Sequence, residues 1–414
     1  MKKILICVLL GVLLLTACST EVDPARGDLM KNVVALDVEG KEADDAFARA
    51  QSEFAWKLFR GCAANAQGEN LLISPLSVQV ALAMTANGAA GDTLTEMEAL
   101  LGSGISLEDL NEYLLSYVNS LQGRGNLKAK LANSVWWNQA NDPEIFPEFL
   151  QTNATYYGAD AFAVPFGKST VEQINAWVDR NTDGMIPKLF DEMDDEALVY
   201  LVNALVLEAP WLTGYENRFI YDKPFVGLSG KTSTVSMMYA EEGRYHETED
   251  AVGFAKPFED KESYGSRFCF VAMLPNEGVD LYAYAESLDA DAFEEFLNSR
   301  QKDTTVLAAI PEFSYSYKTD LREVLPALGM ASAFDEGNFS RMSNTPMGLD
   351  MVIHQAFIEL DKNGVKAAAA TGSGLKSAEL PKCDKTVVLD RPFIYAIVDL
   401  KTRAPLFIGV VTEL

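Results

Sequence analysis

Apolar residues recur along the chain with two spacings, one typical of amphipathic helices and one typical of buried strands. Residues 44–62 have the helical spacing, and a strand-like run at 70–73 leads into a second predicted helix at 76–86. Thr93 and Glu96 have the spacing of a capping box for a further helix. The same reading predicts a helix at 174–181 and strands at 131–137, 198–207, 268–274, 306–310, 351–360, 386–389, 393–400 and 406–411. Helices and strands are mixed and the C-terminal third is strand-rich, which favours an α+β fold.

The 414 residues show no Pro/Gly/Ser linker and no repeat with a period of 20–50 residues. One large domain is therefore as consistent with the sequence as two, and a solenoid is disfavoured. The formal net charge of −26, from 60 acidic and 34 basic side chains, disfavours binding to nucleic acid or to an anionic membrane surface. The acidic residues are dispersed, and their simplest role is to keep the protein soluble.

The N-terminus has the pattern of an export signal: Lys2 and Lys3 precede an apolar run, 4–15, which is shorter than a membrane span. The run ends in Leu-Thr-Ala-Cys18, which resembles the lipobox of bacterial lipoproteins. That resemblance implies removal of residues 1–17, acylation of Cys18 and anchorage in the bacterial cell envelope. An ordinary signal peptide that happens to contain a cysteine is the alternative. Polar, irregular residues 18–44 are expected to form a tether to the lipid.

Residues suited to catalysis or metal binding are scarce. The mature chain would keep two histidines, His246 and His354, and three widely spaced cysteines, without a CxxC pair. No GxSxG elbow, P-loop or GxGxxG motif occurs. We therefore predict no cofactor, no metal site and no enzymatic activity. His354 lies in an apolar strand, where a hydrogen-bonded core histidine is more common than a catalytic one.

The connection at 361–381 is unusually long for a link between two strands, and such loops are usually functional or disordered. A flexible linker or a short Ala-rich helix would explain its composition. A third interpretation follows from the alternation of side chains along an extended chain. One face would carry only small uncharged residues, namely Val365, Ala367, Ala369, Thr371 and Ser373, and the other face Lys366, Ala368, Ala370 and Gly372. Such a segment could enter a sheet between existing strands.

This segment resembles the hinge and reactive loop of the serpins, in which a Gly, a small residue and an Ala-rich run follow a strand. Gly364, Val365 and Ala367–Ala370 carry the likeness. Further motifs fall in the family's order over residues 45–414, which would form the serpin domain: Asn70-Leu-Leu-Ile-Ser-Pro-Leu-Ser77, Leu201-Val-Asn-Ala204 with Trp211, Val235-Ser-Met-Met238, Met273-Leu-Pro275, Ile310-Pro-Glu-Phe313, Leu328-Gly-Met330, Arg391-Pro-Phe393 and Pro405–Val411.

The resemblance implies a single α+β domain with a large central β-sheet, further sheets, eight or nine helices and an exposed reactive-centre loop at about 362–390. It implies a monomeric inhibitor that traps a serine protease, with cysteine proteases as an additional target class, as a covalent acyl-enzyme while the cut loop inserts into the sheet. The positions that match the family's functional sites are Ser74, Ser77, Asn203 and His354 for the shutter beneath the sheet, Trp211 for the breach where insertion begins, and Gly364, Val365, Lys366, Ala367, Ala368, Ala369 and Ala370 for the hinge.

Three departures from the family pattern concern the loop. Lys362 and Asn363 precede the hinge glycine and Lys366 follows it, at positions where the family commonly has Glu; both lysines are expected to face solvent. The loop is also a few residues longer than usual, which leaves the reactive bond open. Spacing from Gly364 favours Ala378-Glu379 and an elastase-like target, whereas the lysine of Lys376-Ser377 favours a trypsin-like one; Leu375 and Leu380 are minor candidates. A non-inhibitory serpin that acts as a binder or chaperone, and a lipoprotein that binds a glycan or nutrient, are alternative functions.

Overall fold

Three β-sheets and nine α-helices form the part of the chain that the structure describes. This computed structural model describes residues 27–66, 68–121, 128–260, 266–335, 337–366 and 379–414. The helices are α1 (Asp45–Asn65), α2 (Pro75–Ala86), α3 (Gly91–Gly102), α4 (Leu107–Leu121), α5 (Pro147–Tyr157), α6 (Lys168–Asn181), α7 (Leu281–Ser287), α8 (Ala290–Asn298) and α9 (Val324–Ala327). Within these ranges, no helix is both long and apolar enough to cross a bilayer.

The sixteen strands fall into one central sheet, one core sheet and one smaller sheet. The central sheet has the order β3 (Asp160–Val164), β2 (Lys128–Asn138), β4 (Val199–Pro210), β13 (Gly364–Val365), β12 (Met351–Asp361) and β11 (Phe313–Asp320). The core sheet has the order β1 (Leu71–Ile73), β16 (Ala404–Val411), β15 (Phe393–Asp399), β9 (Phe268–Pro275), β8 (Ala251–Pro257) and β7 (Tyr245–Glu247). The smaller sheet has the order β14 (Lys385–Val388), β10 (Val306–Pro311), β6 (Thr232–Glu242) and β5 (Ile220–Val226). This mixed architecture confirms the predicted α+β class.

Helix α2 lies behind the central sheet, where it packs against β4 and β2. Every residue of α2 is buried, which explains why its sequence is almost uniformly apolar rather than amphipathic. Pro75 at its first position suits a helix start, because the missing N–H there has no intrahelical partner. The helix therefore begins directly beneath the sheet, with Ser74 as its N-cap residue and Ser77 in its first turn.

The predicted capping box is wrong. Helix α3 begins at Gly91, with Ala90 as its N-cap residue, and Thr93 and Glu96 therefore lie inside the helix. Their side chains bind a distant segment instead: Thr93 Oγ1 accepts from Asn338 N, and the Glu96 carboxylate accepts from the backbone and hydroxyl of Ser332. The spacing was right for a cap, but the two side chains serve tertiary contacts.

Part of the segment expected to be a tether is packed on the body of the protein. Residues 27–29 run antiparallel to the edge strand β3, with Leu29 N donating to Ala161 O at 2.8 Å and Ala163 N donating to Gly27 O at 2.9 Å. Further along, Lys41 forms ion pairs with Asp109 and Glu112 on α4. Residues 27–44 therefore follow the surface of the domain and cover the edge of the central sheet.

Candidate functional site

The centre of the central sheet is a junction between two parallel strands, β4 and β12. They pair directly over six positions, from Tyr200 opposite Met351 to Leu205 opposite Ala356. Their other neighbours, β2 and β11, are antiparallel to them. A further strand inserted between β4 and β12 could therefore be antiparallel to both of them.

A two-residue strand already occupies one end of this junction. Strand β13 lies between β12 and β4 and is antiparallel to both, with Val365 opposite Leu360 and Ala209, and Gly364 opposite Asp361 and Pro210. The side chain of Val365 is buried, whereas that of Lys366 is half-buried and that residue has a φ of 33°. The hinge residues therefore begin an inserted strand whose first inward side chain is in place.

Gly364 is the residue that lets the chain enter the sheet so closely. Its φ is 150°, and a Cβ built there would lie 2.2 Å from Ala209 O and 2.6 Å from Pro210 Cα. Those contacts are with backbone atoms, which cannot rotate away. A side chain at this position would therefore displace β13 from β4.

Strand β13 forms a wedge between β4 and β12. A short unpaired stretch separates this wedge from the part of the junction where the two strands pair directly. Within the described part of the chain, residues 206–208 of β4 and 357–358 of β12 have no partner across the junction. The next hinge residues, Ala367, Ala368, Ala369 and Ala370, lie outside the described residues. The residues that follow β13 would pair with these positions if the strand continued in the same register.

The predicted shutter residues meet beneath the paired part of the junction. His354 on β12 lies opposite Asn203 on β4, and its Nδ1 is 3.2 Å from Asn203 Oδ1. Its Nε2 accepts from Ser74 N at 3.0 Å, and Ser77 Oγ donates to Asn203 Oδ1. Asn203 Nδ2 returns a hydrogen bond to Ser77 O at 2.7 Å. The four residues form a buried polar network that ties the start of α2 to both strands.

The partners of His354 fix its tautomer. Nε2 accepts a hydrogen bond from a backbone amide and Nδ1 faces an amide oxygen, which means that Nδ1 carries the hydrogen. Burial lowers the pKa of His354 to about 4, because the charged imidazolium cannot be solvated there. The ring is therefore neutral at pH 7, and protonation at Nε2 would break its bond to Ser74.

Asn133 belongs to the same network and was missed by the sequence analysis. It lies on β2 opposite Asn203, and its Oδ1 accepts from Asn203 Nδ2 at 2.5 Å. Its strand holds a second buried amide, Asn138, so that nothing in the sequence distinguishes the one that joins the network. The network thus reaches across three adjacent strands of the central sheet.

Trp211 lies directly after β4 and holds the turn between β12 and β13. Its backbone N donates to Asn363 O at 2.8 Å and its indole Nε1 donates to Asp361 O at 3.0 Å. Tyr215 N donates to Lys362 O, the carbonyl between these two, at 2.9 Å. Three consecutive carbonyls of the hinge turn are therefore bound by two residues of one short segment.

The residues proposed from sequence for the reactive bond are mostly beyond what the structure describes. Lys376, Ser377 and Ala378 lie outside the described residues, as does Cys18, whereas Glu379 is exposed at the start of the described C-terminal segment. The described ranges hold no cluster of His, Cys, Asp and Glu that could bind a metal ion. The functional geometry that can be examined is therefore that of the hinge, the breach and the shutter.

Comparison with known proteins identifies the architecture. The family model described as "Serpin (serine protease inhibitor)" matches residues 49–414. An alpha-1-antitrypsin-like protein from Tamias sibiricus is 28% identical over 376 residues, which cover 87% of each chain. The native-state crystal structure of tengpin, a thermophilic serpin, is 39% identical, has a TM-score of 0.86, and is matched over 94% of this chain and 99% of its own. Human thyroxine-binding globulin, crystallised with its hormone, shares the fold at 22% identity, with a TM-score of 0.79 and coverage of 89% of this chain and 98% of its own.

Proposed function

This chain belongs to the serpin family, and from that premise we propose that it inhibits serine endopeptidases, and also some cysteine endopeptidases, as a suicide substrate. The observation that carries the proposal is the wedge formed by β13 at the junction of β4 and β12. The residues that follow it in sequence are small and uncharged at every second position from Ala367 to Ser373. They suit a strand that enters a tightly packed sheet.

The proposed reaction begins as ordinary proteolysis. The nucleophilic oxygen of the protease attacks the carbonyl of the reactive bond, and the amide nitrogen leaves with a proton as the new N-terminus of the C-terminal fragment. The remaining acyl ester joins the protease to the loop. If the freed loop inserts before water attacks that ester, the protease is carried across the sheet and its active site is distorted. If insertion is slow, the ester is hydrolysed and the chain is merely a substrate.

The free energy that drives insertion can be estimated from the backbone hydrogen bonds that the loop would gain. About a dozen loop residues would each gain a net backbone hydrogen bond worth ~0.5–1.5 kcal/mol, which gives about 10 kcal/mol before packing is counted. Continuing the register of Val365 down the junction places residue 375 opposite Val199, at the start of β4. The uncut protein would accordingly be metastable, with a kinetic barrier that keeps β4 and β12 together.

The reactive bond is proposed to be Ala378-Glu379, with Lys376-Ser377 as the competing site. A cut after Ala378 leaves three residues beyond the position that reaches the start of β4, whereas a cut after Lys376 leaves one. The longer spacer would let the acylated protease clear the end of the sheet. This favours an elastase-like target, and a trypsin-like target would require the shorter spacer to suffice.

The lipid anchor at Cys18 remains part of the proposal, and the N-terminal segment supports an orientation for it. Residues 27–29 run antiparallel to β3. The Val164 end of β3 lies near Val199 at the start of β4, whereas the other end of β4, at Pro210, lies next to the hinge. The chain therefore reaches Gly27 from the pole opposite the reactive loop. Nine residue steps from Cys18 to Gly27 span at most ~30 Å. An acylated Cys18 would thus keep this pole near the membrane and the loop away from it.

A second candidate function is a binding serpin whose loop does not insert. Thyroxine-binding globulin has the same fold and binds a small molecule, which supports a binding function as the alternative. The two candidates differ in what happens after the loop is cut: an inhibitor retains the protease, whereas a binder releases it. The small inward residues of the hinge favour the inhibitor.

A panel of serine proteases tests the proposal. Pancreatic elastase and trypsin are incubated with the soluble domain, and the products are separated on a denaturing gel. Inhibition predicts a covalent adduct that survives SDS and whose mass is that of the protease plus the chain without its C-terminal fragment. If every protease of the panel cleaves the loop completely and none forms an adduct, inhibition is contradicted and the binding serpin is favoured. Mass spectrometry of the released C-terminal fragment identifies the bond that was cut.

A further inference from the structure

Lys256 is a buried cation in the core sheet, directly behind the breach. It lies on β8, its side chain is 2% exposed, and its Nζ is 2.6 Å from Glu242 Oε1 at the end of β6. Burial raises the pKa of the Glu242 carboxyl, and the adjacent Lys256 ammonium opposes that shift. A buried ion pair of this kind contributes little to stability by itself, because desolvation of both charges offsets their attraction. Its position therefore points to a role other than stability.

Two aromatic rings complete the surroundings of the ammonium. Lys256 Nζ lies 4.3 Å from the centroid of the Tyr215 ring and 5.4 Å from that of Trp211. Cation–π contacts are strongest where water is excluded, as it is here. The Tyr215 hydroxyl is buried without a hydrogen-bond partner among the described residues. The side chain of Tyr215 is thus held through its ring rather than through its hydroxyl.

Trp211 and Tyr215 bind the backbone carbonyls of the hinge turn. Between them they donate three hydrogen bonds to the carbonyls of residues 361–363. Strand β8 also holds their segment through the backbone, since Leu212 N donates to Pro257 O at 3.0 Å. A continuous set of contacts thus leads from the Lys256 ammonium, through two rings, to the turn that joins β12 to β13.

We propose that Lys256 is a positioning residue for loop insertion, which fixes the Trp211–Tyr215 segment so that the hinge turn stays in place while the loop enters the sheet. This inference rests on the proposed inhibitory function. The turn at 361–364 is the end of a β12–β13 hairpin that insertion would lengthen. A fixed turn provides the start from which each further residue adds to the strand. If the turn is loosened, insertion slows and hydrolysis of the acyl-enzyme gains time.

The test compares Lys256→Met with the wild type against pancreatic elastase and trypsin. Met keeps the length of the side chain and removes the ammonium. We expect the number of inhibitor molecules consumed per trapped protease to rise by about tenfold, since a desolvated cation–π contact is lost. The rate at which the protease first attacks the loop should stay unchanged, because the reactive bond itself is untouched. A variant that merely folds poorly would change both the number of inhibitor molecules consumed and the rate of the first attack.

Lys41→Met is the matched control. Lys41 also pairs with carboxylates, among them Glu112 at 3.3 Å, and its Nζ lies 5.9 Å from the ring centroid of Tyr113, but it is 41% exposed and lies on the N-terminal segment. This variant should trap proteases like the wild type. An equal effect of Lys41→Met would mean that any lost lysine contact disturbs insertion, and it would overturn the specific role of Lys256.

Hydrogen exchange of the uncut protein gives a readout that needs no protease. The amides of residues 363–366 should exchange about tenfold faster in Lys256→Met, because the turn that they belong to is less firmly held. If the single variant does not fold, Lys256→Met with Glu242→Gln removes both buried charges and allows the same measurement. Unchanged exchange together with unchanged trapping would overturn the inference. A wild type that traps no protease would instead contradict the proposed function, and exchange would still decide whether Lys256 positions the turn.

Discussion

His354 and Asn203 face each other across the junction of β12 and β4, with Nδ1 of the histidine 3.2 Å from Oδ1 of the asparagine. This contact spans the two strands that must separate if a loop is to enter between them. Both residues are buried, and neither group can turn to water when the strands part. Asn203 Oδ1 would keep its hydrogen bond from Ser77 Oγ, whereas insertion of the loop has to supply a replacement partner for His354 Nδ1.

Thr371 is the loop residue that we predict to supply it. Val365 lies opposite Leu360 and Ala209, and continuing that register by six residues places Thr371 between His354 and Asn203. A hydroxyl there could accept from His354 Nδ1 and donate to Asn203 Oδ1. Thr371→Val should therefore lower the stability of the cut form by about 1–3 kcal/mol, because the buried Nδ1–H of His354 would lose its partner. Urea unfolding of the cut protein measures the difference.

Ser373→Ala is the control for that prediction. The same register places Ser373 between Val352 and Leu201, which offer no side-chain partner. Removing this hydroxyl should leave the stability of the cut form unchanged or slightly raised. Equal losses in the two variants would show that the inserted strand has a different register.

A charge on the inward face of the loop should turn an inhibitor into a substrate. Ala369 would arrive opposite Ala356 and Leu205, both of which are buried. An arginine there would have to lose its water, at a cost of several kcal/mol, and insertion would slow. Ala369→Arg should thus be cleaved by elastase or trypsin with little adduct on a denaturing gel. Ala368→Arg, one residue away on the other face, should retain most of the adduct, and similar behaviour of the two variants would contradict the assigned faces.

Stability should fall between pH 7 and pH 5 because of the two histidines. Burial lowers the pKa of His354 and of His246 to about 4, below the ordinary value of 6.5. Each neutral ring therefore stabilises the fold fully above pH 6.5, and that contribution is lost as the pH falls toward 4. The expected loss is about 2 kcal/mol per histidine between pH 7 and pH 5. Urea unfolding at the two values measures it.

His354→Gln should remove about half of that pH dependence, whatever it does to stability at pH 7. His246→Gln should remove the other half, since His246 lies in a separate part of the core and donates from Nδ1 to Phe296 O at 3.0 Å. A His354→Gln protein with the pH dependence of the wild type would mean that the shutter histidine is not held neutral.

Sequence alone was sufficient for most of the frame and for part of the site. The strands β4, β9 and β12 carry long apolar runs. The resemblance to the family supplied Ser74, Ser77 and Asn203, and His354 also stood out as the one histidine in an apolar strand. Asn133 did not, because nothing along the chain indicates that β2 lies beside β4 in the register that joins the two amides. The same holds for Lys256, whose carboxylate partner comes from a strand of a different sheet. Docking of residues 27–29 also escaped the sequence analysis, because it depends on backbone hydrogen bonds to the edge of β3.

Lipidation and orientation can be tested together on membranes. Cys18→Ala should release the protein from the membrane fraction, whereas a protein that stays bound would contradict the anchor. With the wild type on vesicles, a fluorophore at Lys168 should be quenched by labelled lipid headgroups more strongly than one at Lys362, because the two sites lie toward opposite poles of the central sheet. Lys168 is exposed at the start of α6, just after the Val164 end of β3, and Lys362 lies in the hinge turn. Stronger quenching at Lys362 would reverse the proposed orientation.

Inhibition by insertion requires that the cut loop enters the central sheet, and the melting temperature of the cut protein tests this directly. The protein without its lipid anchor is cleaved within residues 375–380 by a metalloprotease, which forms no acyl-enzyme and therefore cannot be trapped, and intact and cut forms are melted side by side. An inserted strand worth about 10 kcal/mol should raise the midpoint by about 10 °C or more in a chain of this length. A cut form that melts at or below the temperature of the intact form would show that the loop stays outside, and would contradict inhibition by insertion.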